Sequence, residues 1–236
     1  MKRRVLLAMS GALPALSSVS AVSTALGVAG PAFAAPASAG GWQPVEGQHY
    51  EKLATPLPST GDGRIELVEF FWLGCGHCQA FDPVLEAWHA QRRDVVSLRR
   101  IHIAGRAQVV AHQRLFFALQ SLGVQDQLRP VVFDLLLGQG KSLNTPQEQA
   151  TALAGAGIDP KRLMEACQSF SVAAKCQQAN QLQERADVNT VPTLMVGGRF
   201  KTSPSMAARG ARLSEQESGR RALQVVDALL AGPLRA

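Results

Sequence analysis

The feature that most narrows what this chain can become is Cys75-Gly76-His77-Cys78, set where two differently patterned segments meet. Before it, Ile65 to Trp72 is a largely apolar and aromatic run of strand length. After it, Gln79 to Trp88 carries its apolar residues at helical spacing. Two thiols this close at a strand-to-helix turn are placed for reversible disulfide chemistry. Cys75 falls at the helix start, where unpaired N–H groups and the helix dipole favour an anion, so a lowered thiol pKa is expected there. His77 lies between the thiols, where its ring or backbone can stabilise a Cys75 thiolate; away from cysteines it would read as an ordinary surface histidine.

The chain also opens on an export pattern. Lys2, Arg3 and Arg4 precede an apolar and small-residue stretch that ends in Ala32-Phe33-Ala34, an Ala-x-Ala cleavage site before Ala35. Six Ser and Thr residues interrupt the stretch, which argues against a transmembrane anchor needing ~20 predominantly apolar residues. Arg3-Arg4 also permits a twin-arginine route. Residues 1–34 are therefore read as a signal peptide and the destination as the periplasm. The formal charge is +6, of which the three signal cations account for half. No dense basic run accompanies it, which speaks against nucleic-acid binding. Four cysteines in two close pairs behind an export signal suit an oxidising compartment. They leave no odd thiol to bridge copies, and a monomer is expected.

Periodicity gives the order of elements. A short strand is expected around His49 and Tyr50, a central strand over 64–72, a helix from the cysteine motif to about Arg92 with Pro83 inside it, and a strand over 95–103. From Gln108 to Arg185 the pattern is helical, with capped starts at Thr145-Pro146 and Asp159-Pro160. Strand character returns at Thr193 to Val196, and Gly197-Gly198 signals a hairpin into Arg199-Phe200-Lys201. A final amphipathic helix runs over 217–230.

This order, the cysteine motif at its turn, and Thr190-Val191-Pro192-Thr193 before the hairpin resemble the thioredoxin fold. The helical block after the third strand and the run from Glu66 to Phe81 look like the DsbA family of periplasmic thiol oxidases, over roughly Gln43 to Leu230. The resemblance implies an α/β fold: a thioredoxin-like domain in two parts, 35–106 and 187–236, with a helical domain inserted at 107–186. It implies that Cys75 is the exposed, low-pKa thiol and Cys78 its buried partner. Pro192 matches the family's cis-proline, with Val191 offering backbone groups to an extended substrate. It also implies reduced exported proteins as substrates, a DsbB-like quinone-linked membrane protein as the recycling partner, and no cofactor or metal. The family often has Pro where this chain has Gly76, a less restrained residue that bears on how strongly the disulfide oxidises.

Glu69, six residues before Cys75, reads equally well as an outward strand residue or as a buried carboxylate that raises nearby thiol pKa values and moves a proton for Cys78. Family position makes Arg100 its partner, with His102 two residues further along the same strand. Cys167 and Cys176 would stand about 13 Å apart in one straight helix, well beyond the ~5.5 Å between Cα atoms that a disulfide requires. A break near Ser169-Phe170-Ser171 would let them close a structural disulfide, a better reading than a second redox relay. Two other functions remain open. An isomerase or reductase also uses Cys-Gly-His-Cys, although the segment from Trp42 to Gly63 is too short for a dimerisation domain. A metal-binding or chaperone module built on Cys75, His77 and Cys78 would need a fourth ligand from elsewhere.

Overall fold

The computed structural model describes residues 41–59 and 63–234; the export signal expected over 1–34 lies outside them. Ile65 to Phe71 forms the strand β2, whose residues after Ile65 are all buried. A strand buried on both faces favours apolar side chains, which this run supplies except at Glu66 and Glu69, whose carboxylates pair with Arg99 and Arg100. It leads into the helix α1 (Gly76–Ala90), which buries Cys78, Phe81, Asp82, Leu85 and Trp88, and the chain returns as β3 (Val96–His102), parallel to β2 from Ile65 opposite Val96 to Phe71 opposite His102.

On the far side β2 pairs antiparallel with β4 (Thr193–Val196), which turns through Gly197 and Gly198 into β5 (Phe200–Thr202). Both glycines have positive φ, and a side chain at Gly198 would run into the Leu57 carbonyl, so the hairpin requires glycine there. The first strand, β1 (Glu51–Lys52), pairs antiparallel with β5 and starts a residue beyond the expected His49–Tyr50. Its length is set by where β5 offers partners. The sheet order is β1-β5-β4-β2-β3.

Between β3 and β4 lies the helical block: α2 (Ala107–Ser121), α3 (Gln125–Phe133), α4 (Pro146–Leu153), α5 (Pro160–Gln168) and α6 (Phe170–Arg185). Thr145 and Asp159 cap α4 and α5, each with Pro in the first turn. Ser169 ends α5 and caps α6, accepting from Val172 N–H, which is the expected break. A short helix that periodicity does not reveal, α7 (Pro204–Ala207), precedes the last one, α8 (Glu215–Ala231). Four residues hold too little pattern to read.

Two apolar clusters sandwich the sheet. One joins Val68, Phe70 and Phe71 of β2 to Phe116, Leu119, Phe133, Leu153 and Leu163 of the helical block, with Cys78 at its margin. The other joins Leu67, Leu194 and Val196 to Phe81 and Leu85 of α1 and Val225, Val226 and Leu229 of α8. The central strand and α1 thus hold the cysteine turn from both sides.

Candidate active site

The Cys75 and Cys78 thiols sit just beyond the carboxyl end of β2, where open sheets of this kind place their sites. Cys75 is the N-cap of α1, with extended backbone angles (φ −105°, ψ 117°), and its N–H donates to Trp72 O at 3.0 Å. Cys75 is half-buried and Cys78, one turn on, is buried. All four cysteines are thiols, the reduced state of both pairs.

The pKa values of the two thiols are driven apart. Cys75 is lowered to about 6, chiefly because the Cys78 S–H points at its sulfur. Partial burial works the other way, and the amides of Cys78 and His77 and the His77 charge add to the lowering. Cys78 is raised well above its ordinary value, first by burial, then by the Cys75 sulfur, with Glu69 contributing in the same direction. One thiol is therefore a thiolate at neutral pH and the other a proton carrier.

Val191 and Pro192 come from the loop before β4. Their peptide bond is cis, Thr193 Oγ1–H closes the turn onto Thr190 O at 2.8 Å, and the Cys75 sulfur lies 3.8 Å from Val191 O. The backbone of half-buried Val191 thus stands beside the half-buried Cys75 sulfur. Gly76 is exposed, and a side chain added there would meet nothing within 4 Å. His77 is exposed too, and its Nδ1 lies 3.0 Å from Glu215 Oε1 at the start of α8.

Beneath the thiols, Glu69 is buried, and Arg100 Nε donates to its Oε2 at 2.9 Å. Burial lifts Glu69 to about 7 against the pull of Arg100. The outward-facing reading of Glu69 does not hold. Arg100 also reaches Glu86 at 2.8 Å, and the buried Arg129 of α3 binds Asp82, Glu86 and Asp126 at 2.7–2.8 Å. A cleft of about 1110 Å³ opens over this ion cluster and is lined by Asp82, Glu86, Arg100 and Arg129, away from the thiols. His102 serves the loop instead. Its Nε2 accepts from Leu73 N–H at 3.2 Å and its Nδ1–H donates to Ile103 O at 2.9 Å. Burial holds its pKa down at about 3, so the ring is neutral.

Several participants escape a reading of the sequence. Trp72 donates from Nε1 to His112 Nδ1 at 3.1 Å, and His112 Nε2–H donates to Ser142 O, tying the cysteine loop to the helical block. A side chain on Gly74 would strike the Trp72 ring at 2.5 Å, so the loop needs glycine there. Asp82 and Glu86, four and eight residues after Cys78, share its face of α1. That acidic stripe on an otherwise apolar face was a signal for the cluster. Cys167 and Cys176 lie away from the site in the helical block. Cys167 S–H donates to Gln149 Oε1 at 3.4 Å, and burial pushes its pKa up to about 11.

A thioredoxin sheet with an accessible thiolate at a helix N-terminus, a buried protonated partner and a cis-proline loop beside them defines a dithiol–disulfide oxidoreductase. Comparison with known proteins agrees. The model of the DSBA-like thioredoxin domain matches residues 66–213. The chain is 37% identical over 178 residues to the thiol:disulfide interchange protein DsbA of Burkholderia cepacia, an alignment covering 75% of this chain and 82% of that one. It is 36% identical to its Azotobacter vinelandii counterpart over 66% of this chain and 72% of the other. The crystal structure of Pseudomonas aeruginosa DsbA superposes with a TM-score of 0.73 at 28% identity, over 81% of this chain and 97% of that one. The chain belongs to the DsbA family, and it is a thiol:disulfide oxidoreductase that forms disulfide bonds in substrate proteins.

Proposed function

We propose that this protein works in the periplasm, donating its Cys75–Cys78 disulfide to reduced, newly exported proteins. A substrate thiolate attacks Cys75 Sγ, the Cys75–Cys78 bond breaks, and its electron pair goes to Cys78, which takes up a proton. The substrate's second thiolate then attacks the substrate sulfur of the mixed disulfide. Cys75 leaves as a thiolate, a good leaving group because its pKa is about 6. The substrate dithiol has lost two electrons and the protein has gained them.

The opposed thiol pKa values carry this reading: they stabilise the reduced pair and so make the disulfide electron-seeking. Glu69, lifted to about 7 and near enough for its charge to raise Cys78, supplies or removes the Cys78 proton. Gly76 and His77 tune the thiolate. Val191 and Pro192 present backbone to an extended chain, as a half-exposed thiol on an open surface suits a protein substrate. A DsbB-like quinone-linked membrane protein reoxidises the pair, and the protein acts as a monomer. Cys167 and Cys176, across the Ser169 joint, form a structural disulfide rather than a relay, since burial keeps both thiols high. Among the described residues no helix is long and apolar enough to cross a membrane, and no three His, Cys, Asp or Glu side chains converge to hold a metal ion.

The test is oxidation of a reduced, unfolded protein with two cysteines, using wild type, Cys78→Ala and Cys75→Ala. Wild type, first oxidised, should form the substrate disulfide; Cys78→Ala, first treated with oxidised glutathione, should carry a mixed disulfide at Cys75 that exchanges with the substrate thiols, and Cys75→Ala treated the same way should do neither. Mixed disulfide at Cys78 alone would overturn the assignment.

A further inference from the structure

Among the described residues, His77 has one hydrogen-bond partner beyond its own turn, Glu215, 138 positions away in sequence, and it stands on an element the disulfide chemistry does not otherwise use. Glu215 opens α8, and its position there is firmly set. Ser214 and Glu217 close a capping box: Glu217 N–H donates to Ser214 Oγ, while Ser214 N–H donates to Glu217 Oε2 at 2.8 Å. Further along the same helix, Gly219 lies so close to Phe81 of α1 that a Cβ there would come within 2.9 Å of the Phe81 ring. The first turn of α8 is thereby locked against the helix that carries the cysteines. The family match ends at residue 213, just before this turn.

We propose that Glu215 is a positioning residue for thiol–disulfide exchange: its carboxylate, 3.0 Å from His77 Nδ1, holds the imidazole beside Cys75 and keeps it protonated when Cys75 is a thiolate. The inference rests on the oxidoreductase reading and extends it. Two charged groups face His77, Glu215 of α8 and Cys75 of its own turn, and both favour the imidazolium. The imidazolium in turn lowers Cys75. A histidine with an ordinary pKa near 6.5 would be mostly neutral at pH 7 and would give up its hold on the thiolate there. With Glu215 bonded to Nδ1, the cation persists to higher pH. The pair therefore acts most on the reduced state, where the thiolate exists, and so strengthens the disulfide as an oxidant.

Both side chains are more than half exposed (68% and 56%), which limits the effect. An exposed ion pair of this kind is worth roughly a threefold change in equilibrium, or about half a pH unit. The experiment compares wild type with Glu215→Gln, His77→Ser, the double variant, and Glu217→Gln as a control on the same helical turn. Two readouts are used: the His77 titration by NMR in the reduced protein, and the pH profile of Cys75 alkylation. Glu215→Gln should move the His77 midpoint down by about half a pH unit and the Cys75 midpoint up by a smaller amount. In the His77→Ser background Glu215→Gln should leave the Cys75 profile where it was, because the carboxylate acts through the ring. Glu217→Gln should shift neither midpoint. An unchanged His77 titration in Glu215→Gln, or an equal effect on Cys75 with His77 absent, overturns the proposal. Failure of the oxidoreductase reading would look different: the wild-type Cys75 profile would itself be unshifted.

Discussion

The lowered Cys75 thiol ties the stability of the reduced protein to pH in a way the oxidised protein cannot share. Folded Cys75 titrates at about 6, against an ordinary value of 9.0. Its folded pKa lies below the unfolded one, so the stabilisation is complete only above the unfolded value and is lost as pH falls through about 6. At pH 7 the folded thiol is about nine-tenths ionised and the unfolded one almost wholly protonated, a difference of about 1.4 kcal/mol. Cys75 is only half-buried, so screening by solvent brings the expected figure to about 1 kcal/mol. At pH 5 almost none remains. Cys78, raised well above its ordinary value, stays protonated across this window. The assay is urea unfolding of the oxidised and fully reduced proteins at pH 5, 6 and 7. Taking the difference between the two forms at each pH cancels titrations they share, and the loop-closure entropy of the disulfide does not depend on pH. The reduced-minus-oxidised stability should rise by about 1 kcal/mol from pH 5 to 7. A flat or falling difference would refute the thiolate argument.

Three further outcomes follow from other parts of the structure. Gly76→Pro should stabilise the protein by about 0.5–1 kcal/mol in urea unfolding, because the site is open, lies at the first position of α1 and follows an extended Cys75; destabilisation would contradict that geometry. Arg129→Met should cost about 3 kcal/mol by the same measurement, since it strips Asp82 and Glu86 of a cation buried with them, and a loss below about 1 kcal/mol would show that Arg100 suffices. His102 is buried neutral with its pKa held at about 3, so both redox forms should lose roughly 2 kcal/mol between pH 6.5 and 5 from this group alone. His102→Leu should flatten that acid limb, and an unchanged slope would rule His102 out as its cause.

What the sequence showed was whatever is written locally. The cysteine turn lies between an apolar run and a helical one, Gly197-Gly198 closes the hairpin, and Ser169 breaks α5 from α6, each readable from neighbours within a few positions. Glu69 was ambiguous because burial of an alternate strand position depends on what covers that face. Helix α1 covers it with Asp82 and Glu86, and Arg100 supplies the charge between them. Glu215 was invisible because its role depends on the packing of α8 against α1, and nothing between residues 78 and 214 announces that approach. Arg129 was missed for the same reason, although Asp82 and Glu86 one and two turns beyond Cys78 were a local hint. The sheet order likewise depends on pairing across the helical block.

Holding the reduced pair as a thiolate beside a protonated thiol should make the Cys75–Cys78 disulfide a strong electron acceptor. The most direct measurement is the redox equilibrium of this pair against reduced and oxidised glutathione at pH 7, read by the separation of the two forms. The potential should lie well above that of the glutathione pool, with the protein mostly reduced in buffers that keep ordinary structural disulfides intact. A potential near the ≈ −270 mV of a reducing thioredoxin would contradict it.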